Sequence, residues 1–196
     1  MNKNLKFPND ILIGLCNNQY ILKEKGINHL GKKFTMEISI QKTNIQFSLF
    51  KFCPTKDMNI YPYFKDIDNL KSICDYFIFC NFNNYLIILA VELKKGNKKS
   101  EAFIQLEASN FLIKFILSSA KRIKLEFTEQ VLIAEIYISE KLILEHTTTL
   151  SKKYKYTKYD DENYKKMISY LSREFILDEI VNFILDNKEK HIYHIE

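Results

Sequence analysis

Two acids stand in runs where an apolar strand should carry none. Asp75 lies in Ile73-Cys74-Asp75-Tyr76-Phe77, and Glu92 in Ala90-Val91-Glu92-Leu93-Lys94. Removing a carboxylate from water is unfavourable unless an opposite charge joins it, and the partner that suits two acids at once is a hard divalent cation. Tyr85 to Lys94 reads YLIILAVELK, the near-continuous apolar run of a central strand covered on both faces, and Lys71 to Cys80 is rich in Ile, Tyr and Phe. Between them Asn81-Phe82-Asn83-Asn84 can turn tightly, because Asn tolerates positive φ. With a two-residue turn at Asn83-Asn84, Phe82 pairs with Tyr85 and Asp75 faces Glu92 directly. A four-residue loop from Asn81 to Asn84 slides Asp75 opposite Ala90 but keeps both acids on one face; only an odd-length loop separates them. Lys94, two residues beyond Glu92, shares that face.

Two carboxylates about 5 Å apart raise each other's pKa unless a cation lies between them. Mg²⁺ (or Mn²⁺) meets that demand: it takes one or two carboxylates with water and substrate phosphate, and the backbone carbonyl of Leu93 offers a further oxygen. Lys94 is then placed to hold the attacking water or to meet charge developing on phosphorus, as metal-assisted phosphodiester hydrolysis requires.

Asp75, a gap of sixteen residues and then Glu92-Leu93-Lys94 resembles the active-site signature of the PD-(D/E)XK nuclease superfamily, the restriction-endonuclease-like fold. The resemblance covers roughly residues 70–140. It implies an acid on the second core strand, E-X-K on the third, a helix packed after it and a further strand. Ser100 to Ser119 supplies a helix candidate with Ser100 as N-cap and Phe103, Leu106, Ile113 and Leu117 at apolar positions, and Arg122 to Ser139 reads as strand. Gln105 matches the Gln that many members carry on that helix, with a role in orienting the lysine or a phosphate. Cys74 stands where the motif has Pro, which is not a ligand. A further acid is expected from an opening helix; here the segment before Asp75 is strand-like and offers Glu37, Asp66 and Asp68. The activity implied is a metal-dependent endonuclease acting on nucleic acid, DNA ahead of RNA, of the kind found in bacterial genome defence. A homodimer or a partner protein would supply target choice. The alternative is a non-catalytic nucleic-acid-binding or scaffolding subunit that keeps the nuclease fold.

A chain of 196 residues with 46% apolar content holds one domain with a full core. Four Gly and three Pro among abundant Asn, Ile and Lys suggest AT-rich coding, so the net charge of +5 says less about nucleic acid than where the lysines lie. Lys95, Lys98 and Lys99 follow the E-X-K run at the start of the helix, a phosphate cradle. Ser151 to Lys166 carries six Lys, Lys152, Lys153 and Lys155 among them, interleaved with Tyr, as a flexible arm on single-stranded or distorted nucleic acid would.

Met1 to Asp10 is polar and lacks the apolar core of a targeting signal, and no apolar run is long enough to span a bilayer, so a cytoplasmic protein without a membrane partner is expected. Cys16, Cys53, Cys74 and Cys80 show no C-x-x-C spacing and read as reduced core thiols. His191 and His194 have helical spacing without a third ligand, and His29 and His146 stand alone. Lys33 to Gln41 and Ile45 to Phe52 alternate across Lys42-Thr43-Asn44 as a hairpin. Ile11 to Lys25 reads as a strand pair or a helix, with Asn17-Asn18 as the turn of the former. Asp161 to Asn187 carries Tyr164, Ile168, Leu171, Phe175, Ile180 and Phe183 at helical spacings, an amphipathic helix. The fold expected is α+β (mixed α/β): a central mixed sheet of five or more strands flanked by helices, with a β-rich extension over 1–69, a nuclease-like core over 70–140, and a basic Tyr/Lys segment with a C-terminal helix over 151–196.

Overall fold

A computed structural model describes residues 7–9, 12, 20–27, 31–51, 72–96, 98–123, 130–140, 154–156, 167–170 and 174–193. In chain order the elements are β1 (Ile21–Ile27), β2 (Lys33–Ile40), β3 (Gln46–Phe50), β4 (Tyr76–Phe82), β5 (Tyr85–Lys94), α1 (Lys99–Arg122), β6 (Gln130–Ser139), β7 (Tyr154–Tyr156), β8 (Met167–Tyr170), β9 (Glu174–Phe175), α2 (Leu177–Asp186) and β10 (Ile192–Tyr193). Mixed sheets with helices on them make the fold α+β. No helix among the described residues is long and apolar enough to cross a membrane.

The larger sheet runs β3-β4-β5-β6-β8-β7, with β10 beside the first residues of β6. β4 and β5 pair antiparallel; β5, β6 and β8 run parallel, and α1 makes the crossover between β5 and β6. Alternation along β5 sorts the core into two layers. Leu86, Ile88 and Ala90 join Phe77 and Phe79 under α1, which buries Ala102, Leu106, Ser109, Ile113 and Leu117 at helical spacing. Ile87, Leu89, Val91 and Leu93 face the other way, against α2 and the smaller sheet β1-β2-β9, whose Leu22, Met36 and Ile38 complete that layer.

Several elements differ from the sequence expectations. β2 and β3 form where alternation places them but are not a hairpin: β2 pairs with β1 and β9, and β3 with β4. The link between them is tied to the β9–α2 segment instead. Gln41 N–H donates to the Phe175 carbonyl at 3.0 Å, and the Thr43 hydroxyl donates to Asp178 Oδ1 at 2.7 Å while accepting from Ile45 N–H. Among the described residues the helix expected over Asp161 to Asn187 is found only as α2; Ile168 lies on β8, a fully buried parallel strand, and Phe175 on β9, while Tyr164 and Leu171 lie outside the described residues. α1 starts at Lys99 with Lys98 at its cap position, so Ser100 is inside the helix and caps nothing, and α1 extends through Arg122, leaving the strand to begin at Gln130. Of the segment Ile11 to Lys25, Ile21 onward is strand; Asn17-Asn18 lie outside the described residues. Tyr154–Tyr156 is a strand antiparallel to β8 and not a loose arm; Lys152 and Lys153 lie outside the described residues.

Candidate active site

The β4–β5 hairpin turns at Asn83, whose φ of 53° is the left-handed conformation that Asn accepts. Phe82 pairs with Tyr85 and Tyr76 with Val91, which is the two-residue-turn register. Asp75 sits at the bend immediately before β4, so the next step along the ladder sets it against Glu92. The two acids grip each other's backbone. Asp75 N–H donates to Glu92 Oε2 at 3.0 Å, and Leu93 N–H donates to Asp75 Oδ2 at 2.9 Å. Upstream, the buried Ser109 hydroxyl of α1 accepts Cys74 N–H at 2.7 Å and donates to the Gln105 carbonyl, fixing the approach to Asp75.

Glu92 is 1% exposed, and its Oε1 forms an ion pair with the Lys94 ammonium. Burial first and Asp75 second push the Glu92 carboxyl up to about 8, against the pull of Lys94. Burial also raises Asp75, opposed by Leu93 N–H, Lys94 and Lys51. For Lys94, burial works against the charge, but Glu92, Asp75 and Glu24 outweigh it and hold the ammonium above its ordinary range. Lys94 is therefore a fixed cation and no proton acceptor near neutrality.

Glu24 is the acid that the sequence did not single out. On β1 it follows the inward parity of buried Leu22, and Tyr76 clips that strand down: the Tyr76 hydroxyl accepts Lys23 N–H at 2.7 Å and donates to the Lys23 carbonyl at 3.0 Å. Burial, then Asp75, push Glu24 up to about 7, and its Oε2 is buried with no hydrogen-bond partner. Glu37, one of the three acids that the sequence offers for this place, is exposed and pairs with Lys23 at 3.1 Å; Asp66 and Asp68 lie outside the described residues. The parity of Glu24 within an amphipathic strand was the available signal.

Gln105 lies on the buried side of α1, and its Oε1 is buried without a hydrogen-bond partner. The lysines after the hairpin are occupied. Lys95 stands 3.5 Å from Glu140 and 4.6 Å from the Phe34 ring centroid, and Lys98 is 3.1 Å from Glu101. Lys99 opens α1, and Lys155 lies on β7. The two described thiols, Cys74 and Cys80, are buried and unbridged. His191 is buried, its Nδ1 3.1 Å from the Ile133 carbonyl.

No protein-family model, curated protein or solved structure matches the chain.

The chemistry of the group follows from its charges. Among the described residues, Asp75, Glu92 and Glu24 set three carboxyls against Lys94, with Lys51 and Lys98 acting from nearby, and burial drives all three carboxyls towards protonation. Among the described residues no three His, Cys, Asp or Glu side chains close around a metal ion. A protein cage of that kind is what zinc needs; Mg²⁺ keeps its waters and is content with one or two carboxylates plus phosphate. The buried, unpartnered Glu24 oxygen and the acid excess fit such a cation.

Proposed function

We propose that the chain is a metal-dependent nuclease of the PD-(D/E)XK type that hydrolyses phosphodiester bonds, in DNA ahead of RNA, on a restriction-endonuclease-like core. The observation that carries this is the meeting of Asp75, Glu92 and Lys94 in one largely buried group with more acid than base. The strand order around them, an acid before β4, E-X-K at the end of β5 and then α1 and β6, is the order that the resemblance implies. Asp75 and Glu92 would hold Mg²⁺ or Mn²⁺, with Glu24 adding charge from the second sheet and the Leu93 carbonyl a further oxygen. When bound, the metal supplies Lewis-acid polarisation of the phosphate and an acidified water.

Lys94 reaches the substrate by exchanging its bond with Glu92 Oε1 for one to the attacking water or to a phosphate oxygen. Its raised pKa keeps it charged throughout, so it orients and stabilises and leaves proton removal to solvent. Gln105 has an amide oxygen free of any hydrogen bond to turn towards Lys94 or that water. Lys95, Lys98 and Lys99 stand at the N-terminal end of α1, where a helix favours phosphate. Their partners Glu140 and Glu101 are at the surface, where ion pairs are weak enough to yield to a polyanion.

The deciding assay incubates the purified chain with supercoiled plasmid, single-stranded DNA and RNA, with Mg²⁺, Mn²⁺ or EDTA. Cleavage with either metal, lost in EDTA and in Lys94→Ala but kept in Lys95→Ala, supports the nuclease. The backbone amides already held by Asp75 and Glu92 favour a second reading, a nucleic-acid-binding scaffold in which these acids are structural. Binding without cleavage under every metal condition assigns that role.

A further inference from the structure

α1 buries one side against the larger sheet and shows an apolar stripe on the other. Ile104 is 56% exposed and Phe111 and Phe115 are each 65% exposed. Positions seven and four apart fall on one line along a helix, so the three side chains form a single patch opposite the buried Leu106, Ile113 and Leu117. Contiguous apolar surface of this kind on a folded chain marks an interface.

The charges beside the stripe say what covers it. Glu107 and Lys114 lie on the same flank of α1, seven residues apart, and neither has an opposite charge three or four residues away on the helix. Lys114 instead rests 5.7 Å and 5.6 Å from the ring centroids of Phe111 and Tyr193. In an antiparallel pair of identical helices related by a two-fold axis, each flank meets the same flank of its copy. An axis passing Phe111 sets that ring against its copy, lays Phe115 over the second copy's Ala108, and brings Glu107 beside the second copy's Lys114 twice over.

We propose that α1 is the self-association surface of this chain, pairing antiparallel with α1 of a second copy through Ile104, Phe111 and Phe115, with register set by Glu107 and Lys114. Twenty-four residues make a helix about 36 Å long. A strip of that length and one helix wide buries roughly 800 Å² in all, the size of a transient interface, so dissociation in the micromolar range is expected. The proposal does not depend on the chemistry at Asp75 and Glu92.

Sedimentation equilibrium on the full chain tests it. The apparent mass should rise from 23.4 kDa towards twice that value with increasing concentration. Phe111→Asp, a change at an exposed position, should stay folded by circular dichroism and monomeric throughout. Glu107→Lys and Lys114→Glu should each weaken association roughly tenfold, because each sets like charges together at two symmetric places. An equimolar mixture of those two variants should regain wild-type strength as a heterodimer. A wild type that remains monomeric up to about 200 µM, well above a micromolar dissociation constant, overturns the proposal. So does a dimer indifferent to Phe111→Asp, or a variant mixture no tighter than its components. A monomer whose Phe111→Asp variant melts earlier would assign the stripe to another segment of the same chain.

Discussion

Glu92→Gln should change how stability depends on pH. In wild-type protein held in EDTA, the Glu92 carboxyl is pushed from 4.5 to about 8 by burial and by Asp75. Its folded pKa thus lies above its unfolded one. The stability it contributes is fully present below pH 4.5 and is lost as pH rises through about 8, because the folded chain keeps a proton that the unfolded chain releases. Between those limits each pH unit removes up to about 1.4 kcal/mol, or about 2.7 kcal/mol from pH 6 to 8. Asp75 is raised as well and shares the effect, so about 1–2 kcal/mol is expected, a fall in Tm of about 3–6 °C for a chain of this size. Glu92→Gln cannot titrate. Its amide stands in for the protonated carboxyl that the wild type carries at pH 6 and still accepts Asp75 N–H, so the two proteins should melt closest together near pH 5.5 and the wild type should fall increasingly below the variant towards pH 8. Glu24, pushed up to about 7, acts in the same direction in both proteins, which is why the comparison and not the absolute slope is diagnostic. Melting curves from pH 5.5 to 8.5, monitored by circular dichroism, supply the data. Parallel curves would show that Glu92 is not the buried, proton-holding acid described here.

Four further outcomes are expected. Saturating Mn²⁺, at about a hundredfold its dissociation constant, should stabilise wild type by roughly 2.7 kcal/mol, and Asp75→Asn with Glu92→Gln should abolish that thermal shift. Glu24→Gln should reduce metal-dependent cleavage while Glu37→Gln leaves it unchanged, since Glu24 is part-buried and feels the Asp75 charge whereas Glu37 is exposed and paired with Lys23; equal effects in a plasmid assay would remove Glu24 from the site. Ser109→Ala orphans the buried Cys74 N–H and should lower stability by about 1–3 kcal/mol in chemical denaturation. Asn83→Val forces a β-branched residue into positive φ at the hairpin and should cost about 1–2 kcal/mol by the same measurement, whereas Asn83→Gly should be tolerated.

The register of the acid-bearing hairpin was legible because parity leaves few choices: Asn83-Asn84 offered a two-residue turn, and any even loop keeps Asp75 and Glu92 on one face. Partners across the chain were not legible. Alternation in Lys33–Ile40 and Gln46–Phe50 shows strands but not what they pair with, and what separates them is a bond from Thr43 to Asp178, 135 residues away. Met167–Tyr170 is apolar at intervals that a buried strand and a helix face both satisfy, so periodicity alone does not separate β8 from the helix that follows it. Glu24 stood between Lys23 and Lys25, as surface charge usually does; its turn inward exists only because the smaller sheet packs on the larger one.

That arrangement bears on how the site can vary. Asp75 and Glu92 are spaced by a hydrogen-bonded ladder, which shifts only in whole residues and reverses a side chain's face with each step. Glu24 is spaced by the contact of two layers, through Leu22, Met36 and Ile38 on one side and Leu89 and Val91 on the other. Layers of packed side chains adjust by fractions of an ångström when a methyl group is added or removed. Substitutions in that apolar layer, none of them touching an acid, would therefore move the third carboxylate continuously relative to a fixed pair. On the proposed metal site, such core substitutions would shift which cation fits through core volume alone, with every charged residue retained.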